Sequence, residues 1–379
     1  MTLPSSVLQA PKFVEDLTRS KKTVDHAVCM QNAMKSGKNI ASQMWEFLRL
    51  SRCPGQLNLK DYFMYQLYDD DRFTFNQKRE FVSESFYFQI IEKCCDRRWW
   101  ILADDKFWSY KVFESNGFPV PETQAVVCVG KRAFGGVKKI ADVEQLRRFF
   151  ESEARFPIYS KPIDGIGSFG NFLIQGYDDG ALRLHDDTAM SVEDFMGQID
   201  SKSGQLLQTM LTPHRDLEDI SRRVSTIRVI LIIRDGEAKI LSTVWKIPAN
   251  ENIADNFWRD GNQLGAVEVA TGKVTRVVGY QDGTPQEIPS DAEASRQLVG
   301  RQLPDWDAAM DLCRRGAEHF LPLKFQSWDI ALTDDGPVVV ELNPGSAFLL
   351  PQLAEGKGFL TDEFYDFLQE CGCKLKARS

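Results

Sequence analysis

The spacing of apolar and polar residues predicts helices in the first part of the chain. Residues 13–98 mix apolar and charged side chains at helical spacing, and Pro54-Gly55 interrupts them. This predicts a helical N-terminal region over residues 1–103. The stretch of residues 61–71 is dense in aromatic side chains, which indicates a packed helix surface.

From residue 104 onward the pattern predicts helices that alternate with short strands. Predicted helices cover residues 104–117, 142–152 and 191–199, and predicted strands cover residues 124–129, 171–175, 206–211, 226–234 and 239–247. The last two strands read as a long hairpin around Asp235-Gly236.

Two apolar runs near the C-terminus, residues 327–332 and 338–342, predict an antiparallel hairpin that carries acidic residues on both strands. Residues 334–336, Asp-Asp-Gly, are typical of a turn. A three-residue loop sets Asp329 directly opposite Glu341. A loop of two residues would place the two carboxylates on opposite faces of the sheet.

Carboxylates that face each other on a sheet repel unless a cation lies between them. Asn343, two residues beyond Glu341, shares their face and would add an amide oxygen. Oxygen-only ligands suit Mg²⁺ or Mn²⁺ and argue against zinc. The sequence therefore predicts a divalent-metal site formed by Asp329, Glu341 and Asn343. An ordinary hairpin whose solvent face carries these three residues fits the same pattern.

Composition limits the classes of function. With 379 residues, 43% hydrophobic and 26% charged, the chain is large enough for two or three domains. A formal net charge of −8 argues against nucleic acid as the main partner, because phosphate backbones select basic surfaces. No run approaches the roughly 20 apolar residues of a membrane span, and the first residues lack a signal-peptide pattern. We therefore expect a cytoplasmic protein. Its eight cysteines follow neither a disulfide framework nor a zinc-finger spacing.

A glycine-rich segment follows a predicted strand that ends at Lys161. Gly165, Gly167 and Gly170 would let backbone N–H groups approach an anion, and Lys161 would supply positive charge. The segment is neither a Walker loop nor a dinucleotide fingerprint, because no Gly-Lys-Ser/Thr follows and the chain continues into another strand. It predicts a glycine flap between two strands, although a flexible hairpin tip beside a surface lysine has the same composition.

Two other elements could contact a nucleotide. Lys106 or Lys111, on the helix over residues 104–117, could reach a phosphate, although lysines on helices are usually solvated. The strand that contains Gln208 and Met210 could offer backbone N–H and C=O groups to a purine edge.

Two basic residues interrupt apolar strands. Arg228 and Lys246 must either face solvent or pair with an anion, because an unpaired charge is costly to bury. Each of them alone is also explained by the regular alternation of polar and apolar residues on a strand with one solvent-exposed face.

Taken in order, these features resemble the ATP-grasp superfamily, and most of all its sugar-transfer associated family, which is also described as similar to α-L-glutamate ligases. The resemblance covers residues 30–355. It rests on residues 61–71, Asp105-Lys-Phe, Gly117-Phe-Pro-Val-Pro121, Ser225-Thr-Ile-Arg228, Ala254-Asp-Asn-Phe257, Leu303-Pro-Asp-Trp306, Trp328-Asp-Ile-Ala-Leu-Thr333 and Glu341-Leu-Asn343.

The resemblance implies an α+β ATP-grasp fold with a helical N-terminal region, in which two α+β subdomains grip ATP. Residues 104–210 would form the nucleotide-binding subdomain and residues 211–379 the subdomain with the metal and acceptor sites. The implied nucleotide contacts are Lys161, one of Lys106 and Lys111, the flap residues Gly165, Gly167, Ser168 and Gly170, and the strand residues Gln208 and Met210.

The resemblance also implies roles for residues of the second subdomain. Arg228 would contact the γ-phosphate, and Lys246 and Asn256 would lie near the acceptor. Asp329, Glu341 and Asn343 would hold one or two Mg²⁺ ions. The chain departs from the relatives at Thr226, where they carry Asp, and at Lys246, where we expect Arg.

The implied activity is ATP-dependent ligation of a small-molecule carboxylate to an amine or thiol through an acyl-phosphate, with release of ADP and phosphate. Two other functions fit the same scaffold. One is a small-molecule kinase, which would require a base near Arg228. The other is a nucleotide-binding accessory protein of polysaccharide or envelope assembly without turnover. The acid, the acceptor and the oligomeric state are not readable from the residues.

Overall fold

The computed structural model describes residues 26–165, 170–200, 203–249, 252–259, 261–281, 284–289 and 292–377. These residues divide into two compact units. The first unit spans residues 121–210, and the second combines residues 26–120 with residues 211–377. Each unit contains a seven-stranded sheet together with helices, so the predicted α+β class is confirmed.

The first unit is a mixed sheet with two helices packed on it. In chain order its strands are β1 (Thr123–Val127), β2 (Lys138–Ile140), β3 (Ile158–Pro162), β4 (Phe172–Asp178), β5 (Ala181–Leu184), β6 (Ala189–Ser191) and β7 (Gln205–Thr209). They lie side by side in the order β2-β1-β7-β3-β4-β5-β6, and only β1 and β2 run parallel.

The two helices of this unit supply part of its core. Helix Val143–Ser152 and helix Val192–Gly197 start at N-caps Asp142 and Ser191, whose side chains accept a backbone N–H of the first turn. Their buried faces pack against the apolar side chains of the sheet, as in Phe149 and Phe195 on the helices and Ile158, Ile174 and Leu207 on the strands.

The second unit contains an antiparallel sheet of longer strands. These are β8 (Thr226–Arg234), β9 (Glu237–Ile247), β10 (Gln263–Val267), β11 (Val274–Gln281), β12 (Thr284–Glu287), β13 (Phe325–Thr333) and β14 (Gly336–Pro344). Their order in the sheet is β12-β11-β10-β9-β8-β13-β14. The central strands β8 and β13 therefore lie between β9 and β14. The predicted hairpin of β8 and β9 is confirmed, with Asp235 and Gly236 both at positive φ in the turn.

Helices surround this second sheet. They are His26–Lys35, Ile40–Leu50, Leu59–Met64, Phe75–Lys78, Tyr87–Cys94, Trp100–Asp104, Lys106–Ser115, Glu293–Leu298, Trp306–Glu318, Leu349–Glu355 and Asp362–Glu370, with short 3₁₀ turns at Glu84–Phe86, Arg97–Trp99 and Arg215–Leu217. The first six correspond to the predicted helical N-terminal region. The aromatic side chains of the predicted helix surface, among them Tyr62, Phe63 and Tyr65, are buried as expected.

Helix Lys106–Ser115 belongs to the second unit, whereas the sequence grouped it with the residues up to 210. Asp105 caps it by accepting the N–H of Trp108 at 3.1 Å. Phe113 packs its ring 5.3 Å from the ring of Trp328 on β13. Aromatic packing of this kind holds the helix against the sheet and so positions Lys106.

Candidate active site

A row of three charged side chains crosses the second sheet. Arg228 on β8 pairs with Asp329 on β13, and Asp329 pairs with Glu341 on β14. Residues directly opposite each other on neighbouring strands share one face of a sheet. The three side chains therefore lie side by side, and the alternate residue Trp328 packs on the other face among helix residues.

The predicted position of Asp329 opposite Glu341 is confirmed, but the predicted loop is wrong. Thr333 pairs with Gly336, which leaves two residues in the loop rather than three. Two residues alone would have moved Glu341 out of register with Asp329. A β-bulge between the pairs Asp329–Glu341 and Ile330–Val339 compensates, because Val340 is left over on β14.

The extra residue of the bulge is held in place by a helix. The hydroxyl of Tyr110 donates to the carbonyl oxygen of Val340 at 2.7 Å. Helix Lys106–Ser115 thereby stabilises the irregular part of β14 on which the alignment of Glu341 depends.

Asp329 lies between two cations. Arg228 binds its carboxylate through two hydrogen bonds, Nε to Oδ1 and Nη2 to Oδ2, both 2.8 Å, and Lys246 Nζ donates to Oδ2 at 3.0 Å. All three side chains are largely buried, with exposed fractions of 16%, 5% and 9% for Arg228, Asp329 and Lys246. Burial alone would disfavour these charges, but Arg228 and Lys246 hold the pKa of the Asp329 carboxyl well below its usual range. Asp329 in turn keeps the pKa of the Arg228 guanidinium above its ordinary value in spite of burial.

A second carboxylate, Asp255, joins this cluster. Asp255 lies 3.5 Å from Lys246 Nζ, and it accepts the backbone N–H of Thr226 at 3.0 Å and the hydroxyl of Thr226 as well. Its neighbour Asn256 was predicted from the sequence as a site residue, whereas Asp255 was not. The signal was available, because a carboxylate in the Ala254-Asp-Asn-Phe257 segment could have been matched to the lysine on β9.

Asn256 serves its own loop in this structure. Its side-chain oxygen accepts the N–H of Trp258 at 3.1 Å, and its carbonyl accepts the side-chain N–H of Asn262 at 2.7 Å. Asn262 is fully buried and also bonds to Ala249 and Ala254. These hydrogen bonds of Asn256 therefore stabilise the loop.

The two candidate lysines of helix Lys106–Ser115 have different surroundings. Lys106 Nζ lies 3.2 Å from Glu341 Oε1, and its side chain is 11% exposed. Lys111 lies on another side of the helix, where it pairs with Glu114 at 2.6 Å and is 31% exposed. Of the two, Lys106 contacts the charged row.

The side chains predicted to bind a metal are Asp329, Glu341 and Asn343. They differ in the hydrogen bonds that they already form within the protein. Both carboxylate oxygens of Asp329 accept hydrogen bonds from cations, and Glu341 is 25% exposed beside Lys106. Asn343 has a buried amide nitrogen with no hydrogen-bond partner. No cluster of three His, Cys, Asp or Glu side chains arranged for a metal occurs in the described residues. The amide nitrogen of Asn343 is a hydrogen-bond donor, which an acceptor on a ligand would satisfy, whereas the amide oxygen of Asn343 and the carboxylate of Glu341 are ligands of the type that Mg²⁺ binds.

The other predicted nucleotide contacts lie in the first unit. Lys161 is the penultimate residue of β3 and is 6% exposed. Gly165 and Gly170 both lie close to the side chain of Pro162. A Cβ atom at Gly165 would lie 2.9 Å from Pro162 Cβ, and one at Gly170 would lie 3.0 Å from Pro162 Cγ. Packing against proline therefore requires glycine at both positions. Gly167 and Ser168 fall outside the described residues.

Gln205 anchors the end of the glycine segment. Its side-chain amide donates to the carbonyl oxygen of Gly170 at 2.8 Å and to the hydroxyl of Ser160 at 2.9 Å. Gln205 was not among the predicted site residues, although its position at the start of an apolar strand is consistent with a buried amide that forms hydrogen bonds.

The strand predicted to contact a purine uses several of its polar groups within the unit. The side chain of Gln208 is buried and donates to Pro121 O at 3.3 Å and to Thr123 Oγ1 at 3.2 Å. The N–H of Met210 donates to Pro157 O at 3.2 Å. These groups bond to protein atoms within the first unit, and the predicted contact of Gln208 and Met210 with a purine stays a prediction.

Comparison with known proteins identifies the class of fold and then the family. The architecture is that of the ATP-grasp proteins. The chain belongs to the sugar-transfer associated ATP-grasp family, whose model matches residues 85–364. No curated protein gave a significant match.

Solved structures with a similar fold are distant. An N5-carboxyaminoimidazole synthase from Aspergillus clavatus, in complex with ADP and 5-aminoimidazole ribonucleotide, is 11% identical over 70% of this chain and 52% of its own, with a TM-score of 0.38. An L-amino acid ligase from Bacillus licheniformis is 11% identical over 76% of this chain and 52% of its own, with a TM-score of 0.37. The VanG D-Ala:D-Ser ligase from Enterococcus faecalis is 12% identical over 73% of this chain and 64% of its own, with a TM-score of 0.41. The chain thus spans about half the length of the first two of these proteins.

Proposed function

We propose that the protein is an ATP-dependent ligase that joins a small-molecule carboxylate to an amine or a thiol. In the first step a carboxylate oxygen attacks the γ-phosphorus of ATP, and ADP leaves. In the second step the amine or thiol attacks the acyl-phosphate, and phosphate leaves. The observation that carries the proposal is the row of Arg228, Asp329 and Glu341 on one face of the second sheet, with Lys246 and Lys106 at its sides. Membership of the ATP-grasp family supports it.

The residues of the row suit the handling of anions. Arg228 keeps its charge at every working pH and has a planar fork of donors, so it can align a phosphoryl group or a carboxylate. Lys246 lies on the next strand and shares Asp329 with Arg228, which makes both cations available to the same bound anion. An anion that binds Arg228 competes with Asp329, and release of one hydrogen bond would free a carboxylate oxygen of Asp329.

The proposed cofactor is Mg²⁺, or Mn²⁺ in its place. Glu341 and Asn343 would hold it, with Asp329 as the third ligand once a carboxylate oxygen is released. A bound Mg²⁺ ion supplies charge neutralisation for the triphosphate. We assign a further phosphate contact to Lys106. In the first unit, taken by itself, we assign an anion contact to Lys161 and the glycine segment.

The charge pairing favours a ligase over a kinase. A kinase that phosphorylates a hydroxyl needs a group that accepts its proton. Asp329 is a poor acceptor, because two cations hold it in the ionised state with a lowered pKa, and Asp255 already accepts two hydrogen bonds from Thr226. A carboxylate substrate is already ionised, so the first step of ligation requires no base.

The test is an ADP-release assay with ATP and Mg²⁺ over pairs of amino acids and sugar acids, with hydroxylamine present in a parallel series. An acyl-phosphate is trapped as a hydroxamate, and ADP forms in equal amount. ADP release with a stable phosphoester and no hydroxamate would identify a kinase instead. Failure to bind ATP and Mg²⁺ by calorimetry would refute both reactions.

A further inference from the structure

Helix Ile40–Leu50 carries apolar side chains on its exposed face as well as on its buried face. Its exposed face carries large apolar side chains, with exposed fractions of 59% for Ile40, 37% for Met44, 61% for Trp45 and 46% for Leu48. Spacings of four residues place Ile40, Met44 and Leu48 in one stripe, and Trp45 lies beside it. A helix on the surface of a globular protein normally turns such a stripe towards the core.

Polar bonds fix this orientation. Buried Gln43 donates to the carbonyl oxygens of Ala33 at 2.9 Å and Lys38 at 2.8 Å. Buried Glu46 accepts from Lys78 at 3.0 Å and from the Tyr62 hydroxyl at 2.8 Å. Rotation of the helix to bury the apolar stripe would break these bonds and leave charged and polar groups unpaired. The apolar face is therefore held outward.

The preceding helix, bonded to helix Ile40–Leu50 through Gln43 and Ala33 O, also exposes apolar side chains. Met30 and Met34 of helix His26–Lys35 are four residues apart and are 46% and 63% exposed. We call the six exposed side chains together the Trp45 surface: Met30, Met34, Ile40, Met44, Trp45 and Leu48. They are half of the twelve large hydrophobic side chains found exposed in the described residues, which is a concentration typical of an interaction surface.

The segment that carries the Trp45 surface is basic, although the chain as a whole carries −8. Residues 26–52 contain four basic residues and a single acid, Glu46, which is buried. Lys38 pairs with Glu46 and Asp70, which leaves Lys35, Arg49 and Arg52 on the exposed side. The guanidinium of Arg49 lies 4.6 Å from the ring centre of Trp45.

We propose that the Trp45 surface docks on an anionic lipid bilayer, with helix Ile40–Leu50 lying in the plane of the interface. An apolar stripe with a tryptophan, flanked by lysine and arginine, is the pattern of helices that lie on such membranes. In the described part of the chain no helix is long and apolar enough to cross a bilayer. A second copy of the chain fits less well, because a two-fold interface would set the same basic residues against each other.

The experiment is flotation of the full-length protein with vesicles of phosphatidylglycerol or of phosphatidylcholine. We expect binding to phosphatidylglycerol vesicles, weaker binding to phosphatidylcholine vesicles, and loss of the difference at high salt. The double variant Trp45→Ser, Leu48→Ser should bind phosphatidylglycerol vesicles at least about tenfold more weakly, because it removes two of the apolar side chains that enter the interface. Trp108→Ser is the matched control, because Trp108 is 51% exposed and lies outside the Trp45 surface. It should bind as the native protein does.

A second pair of variants separates the charge from the apolar contact. Lys35→Glu with Arg52→Glu should remove the preference for phosphatidylglycerol without changing the unfolding temperature, whereas Arg148→Glu, at an exposed site in the first unit, should retain it. Native protein that fails to bind phosphatidylglycerol vesicles at low salt would overturn the proposal. So would binding that the Trp45/Leu48 variant leaves unchanged. A dimer that this variant dissociates, with no vesicle binding by the native protein, would assign the surface to a second copy instead.

Discussion

Arg228 and Asp329 face each other across strands β8 and β13 and form a bidentate ion pair with two N–O distances of 2.8 Å. Around this pair stand two more cations, Lys246 and Lys106, and two more carboxylates, Asp255 and Glu341. Six charges thus neutralise one another within the second unit. An added anion or cation must displace part of this pairing, so ligand binding and stability are coupled in the same residues.

Replacement of Asp329 should destabilise the protein strongly. Asp329→Asn removes the negative charge between Arg228 and Lys246 and leaves two buried cations without their shared partner, at a cost of about 3–5 kcal/mol in the free energy of unfolding. Urea denaturation followed by fluorescence measures it. The control is Asp334→Asn, at an exposed pair with Arg215, which should change the free energy little. Equal effects of the two substitutions would show that the buried pair has no special role.

The contribution of Asp329 should also depend on pH in a defined direction. Its folded-state pKa is lowered, so the ion pair stabilises the protein fully above the pKa of the unfolded carboxyl, about 3.9, and loses this effect as pH falls towards the folded value. The difference in unfolding free energy between the native protein and Asp329→Asn should therefore stay constant from pH 7 to about pH 5 and shrink below about pH 4. A difference that grows on acidification would contradict the assignment.

The elements with long, regular patterns were predictable from the sequence. The helix around Lys106 and the strands β8 and β9 occur where apolar spacing and turn residues indicate them. Strands β2, β5 and β6 have only three or four residues each, which is too few to show an alternation of polar and apolar residues. Strands β10, β11 and β12 were not predicted either. Short strands form because of neighbouring strands, which the local sequence does not reveal.

The residues of the candidate site were predictable from the sequence, but the contacts between their side chains were not. Asp329 and Glu341 are in register as predicted, yet for a different reason, since a bulge at Val340 offsets the shorter loop. A bulge depends on tertiary contacts such as that of the Tyr110 hydroxyl, which no turn pattern encodes. Likewise the partners of Asp329 come from strands about 80 and 100 residues away along the chain, and only folding brings them together.

The lysine that binds phosphate should be Lys106. Lys106→Ala removes a largely buried cation beside Glu341, and we expect the Kd for ATP with Mg²⁺ to rise at least about tenfold, as loss of one charge-assisted bond implies. Isothermal titration calorimetry measures this. Lys111→Ala is the matched control on the same helix, because Lys111 pairs with Glu114 away from the charged row. The assignment is wrong if Lys111→Ala weakens ATP binding as much as Lys106→Ala.

Glu341→Gln should abolish ADP formation while the protein stays folded. The carboxylate is partly exposed, so neutralising it costs less stability than neutralising Asp329, and the neutral amide of glutamine is a weaker ligand for Mg²⁺ than the carboxylate that it replaces. We expect kcat to fall at least about a hundredfold, since neutralisation of the triphosphate is central to phosphoryl transfer. Glu114→Gln, on the helix surface, should retain native turnover. Native kcat in Glu341→Gln would remove Glu341 from the proposed site.

Gln205→Leu should loosen the end of the glycine segment in the first unit. The substitution takes away the donor of both Gly170 O and Ser160 Oγ in a buried place, and unsatisfied buried groups of this kind cost about 1–3 kcal/mol. Because the glycine segment is proposed to contact phosphate, we expect the Kd for ATP to rise along with the loss of stability. Urea denaturation and calorimetry measure the two effects on one sample.

A second glutamine of the same unit separates these effects. Gln124 donates to Arg155 O at 2.9 Å and to Thr209 Oγ1 at 3.2 Å, at a more exposed place away from Gly170. Gln124→Leu should therefore cost less stability than Gln205→Leu and leave the Kd for ATP unchanged, because water can replace the lost donor there. If both variants bind ATP equally well, the bond from Gln205 to Gly170 only stabilises the sheet, and the glycine segment binds nucleotide without that anchor.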